Sequence, residues 1–369
     1  MESLGAQTPV SSQPRLDSLT GMRFAAAFVV FSFHLEGFFY FNTPFAAMTH
    51  AFIQGPAGVS FFFILSGFVL TWSHRSNDST GAFYQRRLAK IGPLNVVTWG
   101  LMGLIVLAFA EHPGAGPSVA SLVFLTPWIP QYSLHLAMNN PSWSLGCELF
   151  FYALFPWLLV GLRRLTMSQR RWAMAGVVFL VLCFAAAAAP DRAYTTSAWA
   201  LYFFPPVRLV EFVLGMLLAL ELADDHLPRV SLVGASLLAL VAYVADSWAP
   251  ASARPVAVTI VPFSLLIVAA AQADIGRRKS WWRSPAMVRL GTWSFALYMV
   301  HWPVLTLISH FVHGRLGDWP SVALGIGCLV ASVAAGALLH RFVEHPLEVR
   351  LRPRKRQVSA EASLATRDL

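Results

Sequence analysis

Charged residues are scarce in this chain: Asp, Glu, Lys and Arg make up 12% of its 369 residues, whereas soluble domains average about 25%. No segment outside the apolar runs is long enough for a separate soluble domain, and the sequence has no internal repeat. The three cysteines lie in apolar runs without metal-ligand spacing, so they are predicted to be buried small side chains. The first twenty residues lack the basic-then-apolar pattern of a cleaved signal peptide. The first hydrophobic helix is therefore expected to remain in the mature protein.

Apolar sequence is abundant, at 56% of the residues. A membrane-spanning helix needs about 20 mostly apolar residues. Ten segments meet that need: 23–41, 56–73, 92–110, 142–161, 172–189, 201–220, 230–248, 255–273, 291–312 and 320–340. The stretch 119–132 is short and contains Pro127 and Pro130, which favours an interfacial or re-entrant piece.

The predicted fold is an all-α polytopic membrane helix bundle. A polar N-terminal segment (1–20) precedes the membrane domain (21–346), and a basic tail (347–369) with the composition of disordered sequence follows it.

The distribution of Lys and Arg predicts the orientation, because cytoplasmic loops retain basic residues. With the N-terminus in the cytoplasm, ten helices place 23 of the 27 Lys and Arg residues on the inner side. Both termini are therefore expected in the cytoplasm, and the cell membrane is the expected location. The net charge of +9 is spread over every inner loop, as contact with a lipid bilayer requires. It indicates no nucleic-acid partner.

Burying ionisable and polar side chains at membrane depth costs free energy, and such residues usually mark a functional site. Arg23 begins the first predicted span and His34 follows eleven residues later. Eleven residues turn a helix by about 1100°, so the two side chains share a face about 16 Å apart along the axis. Other predicted spans bring polar groups to a similar depth: Ser66, Glu148, His301, and the pair Arg208 and Glu211, which are one turn apart. The sequence thus predicts a polar cavity inside the bundle, open to the basic inner surface.

Six motifs, in order, carry a resemblance to a known family. The first is an arginine, ten residues and a histidine, Arg23 to His34, within RLDSLTGMRFAAAFVVFSFH. The others are GPAGVSFFFILSGFVL (55–70), FYQRRLAKIGP (83–93), PSWSLGCELFFYALFP (141–156), SFALYMVHWP (294–303) and RFVEHP (341–346). Together they resemble the acyltransferase-three family of integral membrane proteins, with 83–93 matching its basic inner loop. The resemblance runs over most of the chain.

The resemblance implies transfer of an acyl group, usually acetyl, from acyl-CoA to a hydroxyl. Implied acceptors are surface glycans, lipid-linked sugars or, for stand-alone actinobacterial members, macrolide antibiotics. The opening Ser-Leu-Thr-Gly-Met-Arg and the Ala- and Arg-rich composition resemble those of actinobacterial antibiotic acylases. This resemblance implies a macrolide-type hydroxyl, with a cell-surface sugar as the alternative. Lys90 stands where the family usually has arginine, so it would meet a phosphate as a point charge. The chain is expected to be the stand-alone form, with acyl-CoA as co-substrate, no tightly bound cofactor and no metal.

Acyl transfer from a thioester needs a base for the acceptor hydroxyl and positive charge for the donor phosphates. On the resemblance, His34 is expected to be the general base and Glu148 the carboxylate that orients it. Four basic side chains are expected to hold the CoA phosphates at the cytoplasmic mouth: Arg23, Arg86, Arg87 and Lys90. The alternative for all four is a topological role as residues retained on the inner side. Ser66 and His301 are further candidates, and Arg208 with Glu211 is expected to be a structural pair.

Two other interpretations compete. A transporter or channel would also need ten helices with a polar centre, although the sequence has no repeated half and no matched pair of broken helices. Release of free CoA in the presence of acceptor would distinguish an enzyme from a transporter. His313 and Asp318 fit the His-x4-Asp pattern of glycerolipid acyltransferases, but they lie in a predicted outer loop, so the match is interpreted as chance.

The basic-residue asymmetry generates a topological prediction. In intact cells, single cysteines replacing Thr80, Thr166, Ser280 or Ala360 should be shielded from an impermeant thiol reagent. Cysteines replacing Met48, Gly114 or Arg315 should be labelled. Labelling at 166 or 280 would contradict ten spans with cytoplasmic termini.

Overall fold

A computed structural model describes the chain except for residues 1–12, 40–53, 75–78, 132–133, 135–137, 188–194, 251–253, 255, 313–315 and 352–369. The described residues are helical throughout, apart from turns and connecting segments. The predicted all-α class is therefore confirmed.

The helices are numbered here in chain order, and most are long and apolar. They are α1 (Asp17–Phe39), α2 (Gly55–Trp72), α3 (Thr80–Ala108), α4 (Ala115–Leu122), α5 (Trp143–Arg163), α6 (Met167–Ala187), α7 (Thr196–Tyr202), α8 (Pro205–Ala223), α9 (Leu232–Ala245), α10 (Ile260–Ile275), α11 (Pro285–Ser309), α12 (Asp318–Leu339) and α13 (His345–Leu351). Short 3₁₀ turns cover Thr126–Trp128, Asn140–Ser142, Asp246–Trp248 and Trp281–Arg283, and a π-helical turn covers His340–Glu344.

Among the described residues, seven helices are long and apolar enough to cross a membrane: Asp17–Phe39, Gly55–Trp72, Thr80–Ala108, Asn140–Arg163, Met167–Ala187, Thr196–Ala223 and Asp318–Leu351. Each of the ten predicted spans overlaps a helix. Of the remaining three, Leu232–Trp248 and Ile260–Ile275 are apolar but shorter. The third, α11, has 25 residues but carries Arg289, Tyr298 and His301, which reduce its apolar character. The count of ten spans and their orientation therefore stay predictions.

The basic segment 83–93, expected to be an inner loop, is helical instead. It forms the early turns of α3, which begins twelve residues before the predicted span. The Ser79 hydroxyl accepts a hydrogen bond from the Ala82 backbone N–H at 3.2 Å, which caps the helix. Pro93 lies inside the same helix. As a result, Arg87 and Lys90 project from a rigid element.

Other predicted boundaries can also be placed. α1 begins at Asp17, inside the predicted polar segment 1–20, and α13 extends to Leu351, inside the predicted tail 347–369. The rest of that tail lies outside the described residues. The stretch 119–132 holds the end of α4 and one 3₁₀ turn, both too short to span a bilayer.

The start of α1 is anchored by a carboxylate from another helix. The Ser18 backbone N–H and hydroxyl donate to the two oxygens of Asp274, in α10, at 2.8 Å each. Arg283 Nε lies 3.2 Å from the same carboxylate. The first N–H groups of a helix have no intrahelical partner, and a negative charge there also suits the helix dipole. This contact therefore fixes the helix that carries both Arg23 and His34.

Glycines let the central helices approach closely. α2 and α8 cross at Gly67 and Gly215, where an added Cβ would meet the backbone carbonyls of Phe212 and Ile64, respectively. α1 and α11 meet in the same way, because a Cβ on Gly291 would collide with the Thr20 carbonyl. Small residues at helix interfaces are the usual means of close packing in membranes. The core of the bundle is therefore built from α1, α2, α8 and α11.

The α2–α8 crossing gives a stability prediction. Gly67→Ala and Gly215→Ala should each destabilise the protein by about 1–3 kcal/mol, the usual cost of overpacking, and so lower the thermal unfolding temperature in detergent. Gly100→Ala is the matched control, because a Cβ there meets no atom within 4 Å. Equal unfolding temperatures for all three variants would show that the crossing can separate without cost.

Candidate active site

A cavity of about 130 Å³ opens between α1, α2, α3, α5 and α11. Its charged and polar lining contains three cations and one carboxylate. Residues lining the cavity include Arg23, Arg87, Lys90, Glu148, Ser66, Ser144, Tyr152 and Tyr298. The cavity thus brings together five of the side chains singled out in the sequence: Arg23, Ser66, Arg87, Lys90 and Glu148.

The carboxylate of Glu148 is held from its own helix. Tyr152, one turn along α5, donates a hydrogen bond to Glu148 Oε2 at 2.5 Å, and the Arg87 guanidinium lies 6.0 Å from the centre of the Tyr152 ring. Glu148 also lies in electrostatic range of Arg23 and Lys90. The ionised lining therefore carries three positive charges and one negative charge, an environment that suits an anionic ligand.

His34 and His301 form a hydrogen-bonded pair between α1 and α11. His34 Nδ1 lies 2.8 Å from His301 Nε2, and the two rings are nearly parallel, at 22° with centroids 5.1 Å apart. His301 Nδ1 in turn lies 3.2 Å from the Leu297 carbonyl oxygen. His301 is 1% exposed and His34 is half-buried. Of the two residues, His34 is therefore the more exposed.

Aromatic side chains surround the pair. The Trp302 ring stands edge-on to His34 at 5.1 Å, and Phe33 lies at 5.2 Å on another side. Tyr298, one turn before His301, has its ring centre 6.0 Å from that of His301 and also lines the cavity. Tyr298 thus lies between the cationic cavity and the histidine pair.

α11 contains a proline close to the pair. Pro303 lacks the N–H that would bond to the carbonyl of Met299, four residues earlier. Asn139 Nδ2 donates to that carbonyl at 2.9 Å and to Thr98 Oγ1 at 2.9 Å. A proline is tolerated at membrane depth where a neighbour satisfies the freed backbone group. Asn139 therefore stabilises the segment of α11 that carries His301.

Two expectations from the sequence need correction. Glu148 was expected to orient His34, but its hydrogen bond is with Tyr152, and His301 is the hydrogen-bonded neighbour of His34. Arg86 is not among the residues that line the cavity, unlike Arg87. The reason is helical geometry, because neighbours on a helix point about 100° apart.

Arg208 and Glu211 pair as expected, with Arg208 Nη2 3.1 Å from Glu211 Oε2. Arg208 also donates to Ser60 Oγ at 3.0 Å, and its guanidinium lies over the Phe63 ring at 5.1 Å. Both charged side chains are buried and neither lines the cationic cavity. His313, of the His-x4-Asp pattern, lies outside the described residues.

The sequence alone did not point to Tyr152, Tyr298 or Asn139. The two tyrosines could have been found from spacing, since Tyr152 is four residues after Glu148 and Tyr298 three before His301, each on the same helical face. Asn139 precedes a helix in an irregular segment, and no periodicity pointed to it.

Comparison with known proteins identifies the family. Residues 16–341 match the family model described as an acyltransferase domain. The chain belongs to this acyltransferase family. Acyltransferase MdmB of Streptomyces mycarofaciens is 38% identical over 95% of this chain and 96% of its own length. The family and this relative make the chain a membrane acyltransferase, which excludes the transporter interpretation.

More distant relatives match at lower identity. The putative peptidoglycan O-acetyltransferase YrhL of Bacillus subtilis is 25% identical over 90% of this chain, which spans 55% of that protein. Exopolysaccharide production protein ExoZ of Rhizobium meliloti is 25% identical over 83% of this chain and 93% of its own length. No solved structure gives a significant match.

Proposed function

We propose that this acyltransferase transfers an acetyl or other short acyl group from acyl-CoA to a hydroxyl of a macrolide-type metabolite or a sugar, with His34 as the general base. The observation that carries the proposal is the position of His34. It lies on the same helix as Arg23, half-buried, with one ring nitrogen in the pair with His301. The remaining nitrogen, Nε2, is the one available to take a proton.

The chemistry requires one base and a leaving thiol. His34 Nε2 takes the proton of the acceptor hydroxyl as its oxygen attacks the thioester carbonyl. The tetrahedral intermediate collapses, the C–S bond breaks, and the proton returns from His34 to the CoA sulfur. The products are the O-acyl acceptor and free CoA, and the enzyme is restored.

The cationic cavity is the proposed site for the donor phosphates. Arg23, Arg87 and Lys90 supply positive charge at one end. His34 lies eleven residues from Arg23 along α1, about 16 Å at 1.5 Å per residue. A long, flexible pantetheine arm fits this separation, because it can carry the thioester from the cations to the base. In this proposal Glu148 acts as a counter-charge to the cations.

The acceptor is proposed to be a macrolide-type hydroxyl. The support is the sequence resemblance to stand-alone actinobacterial members of the family, and a Streptomyces acyltransferase, MdmB, is similar over nearly the whole length of both chains. A sugar is the second candidate, because distant relatives are named for peptidoglycan and exopolysaccharide.

The acceptor can be tested with a panel of macrolides and glycans. Purified protein with acetyl-CoA should release free CoA when a macrolide is present. Release of CoA with glycans alone would indicate that the acceptor is a sugar.

We propose the cell membrane as the location of the protein.

Replacing His34 is the direct test of the base. His34→Ala should lower the rate of acyl transfer by about 10²–10⁴-fold, the usual contribution of a general base. The protein should still insert, purify and bind acetyl-CoA, because the base acts on the acceptor. Turnover is measured as CoA release and donor binding by calorimetry.

His313→Ala is the control, and it should stay active because the His-x4-Asp pattern is interpreted as chance. Near-normal turnover of His34→Ala, or loss of activity in His313→Ala, would place the chemistry elsewhere.

The charges of the cavity generate a second test. Arg23→Ala should weaken acetyl-CoA binding and flatten its salt dependence, since one screened attraction is lost. Arg23→Lys should recover part of the affinity, because a point charge still attracts phosphate. Glu148→Gln should tighten donor binding, because it removes the negative charge of the lining and keeps an oxygen for the Tyr152 hydroxyl.

Glu111→Gln is the matched control for the loss of a carboxylate. Glu111 lies just beyond the far end of α3 from Lys90, and its side chain is 49% exposed, so donor affinity should not change. If Glu148→Gln leaves donor affinity unchanged and greatly reduces turnover, Glu148 acts in the chemical step rather than as a counter-charge.

A further inference from the structure

When both rings are neutral, the hydrogen-bond chain through the two histidines has one direction. A carbonyl oxygen can accept a hydrogen bond but cannot donate one. The contact of His301 Nδ1 with the Leu297 carbonyl, at 3.2 Å, therefore requires the proton on Nδ1. In a neutral imidazole the other nitrogen, Nε2, then has a free lone pair. His301 thus presents an acceptor to its neighbour.

That acceptor determines the protonation of His34. His34 Nδ1 lies 2.8 Å from His301 Nε2, and two unprotonated nitrogens at that distance would repel. His34 must therefore donate from Nδ1, which leaves the lone pair on its Nε2. We propose that His301 is a positioning residue, which fixes His34 in the tautomer whose Nε2 can accept the substrate proton. This inference rests on the proposed role of His34.

The same contact supports His34 after proton transfer. When Nε2 takes the proton of the acceptor hydroxyl, the ring becomes a cation with N–H groups on both nitrogens. The Nδ1–H remains directed at His301 Nε2, so the charged ring keeps a hydrogen-bond partner in a region that lipid surrounds. His301 itself is buried and does not need to touch the substrate.

Three substitutions of His301 separate this role from simple packing. His301→Gln places an amide oxygen where Nε2 stood, within reach of His34 Nδ1–H. His301→Asn is shorter: it can still reach the Leu297 carbonyl but not His34. His301→Ala removes both contacts. The expected order of kcat is wild type, then Gln, with Asn and Ala lowest and reduced by about 10²-fold or more. KM for acetyl-CoA should change little in all three.

His310 supplies a matched control near the end of the same helix. Its Nδ1 makes the equivalent ring-to-carbonyl contact with Thr306, four residues earlier, at 2.7 Å, and its Nε2 lies 3.1 Å from Glu111 Oε1. It has no partner histidine among the described residues. His310→Ala should therefore keep near-normal kcat.

A spectroscopic measurement tests the tautomer without relying on turnover. In protein labelled with ¹⁵N at its eleven histidines, the signals of His34 are those that disappear in His34→Ala. In the wild type, Nδ1 of His34 should be protonated and Nε2 unprotonated. This pattern should persist in His301→Gln and be lost in His301→Asn.

The outcomes keep the two proposals apart. An active His34→Ala protein would overturn the proposed base, whatever the His301 variants do. An inactive His34→Ala protein with equal kcat for His301→Gln and His301→Asn, and an unchanged His34 tautomer, would overturn the positioning role alone.

Discussion

The contact between α1 and α11 determines the geometry of the site, because each helix carries one member of the histidine pair. Gly291 of α11 lies against the Thr20 carbonyl of α1, and Gly21 of α1 lies against the carbonyl of Trp282, in the 3₁₀ turn just before α11. A Cβ at either glycine would push the helices apart, and a separation of even 1 Å would break the 2.8 Å contact between the imidazoles. Asp274 fixes the inner end of α1 through Ser18. The position of His34 is thus set by backbone contacts at the other end of its own helix.

The same demand for internal partners explains the other polar groups at depth. Lipid offers no hydrogen bonds, so each buried polar group must be satisfied within the protein. Asn139 donates a hydrogen bond to the Met299 carbonyl, which Pro303 leaves without an intrahelical donor. Arg208 forms an ion pair with Glu211. These contacts have a structural explanation of their own. They differ from the cationic cavity, where three positive charges face a single carboxylate and the surplus fits an anionic ligand.

The sequence was sufficient to predict the long apolar helices, because they follow from apolar length. It could not predict that His301, rather than Glu148, would meet His34. Both candidates lie at a suitable depth, and the choice depends on which helix packs against α1, which periodicity does not encode. The error at 83–93 has a different cause, since hydropathy ends a helix where charges begin. The cap at Ser79 was the local signal that α3 starts earlier.

The neighbour of His34 is a histidine rather than a carboxylate, and this has a physical explanation. A carboxylate would orient the ring equally well, but as an ion it would be expensive to bury at membrane depth. Two neutral imidazoles carry no net charge in the resting pair, and in the proposed mechanism a charge forms only when His34 takes a proton from the acceptor. Arg23 lies about 16 Å away along α1 and lines the cavity together with Arg87 and Lys90. In the proposed mechanism, the charges of Arg23, Arg87 and Lys90 therefore stay at the donor end, and the histidine pair is neutral between turnovers.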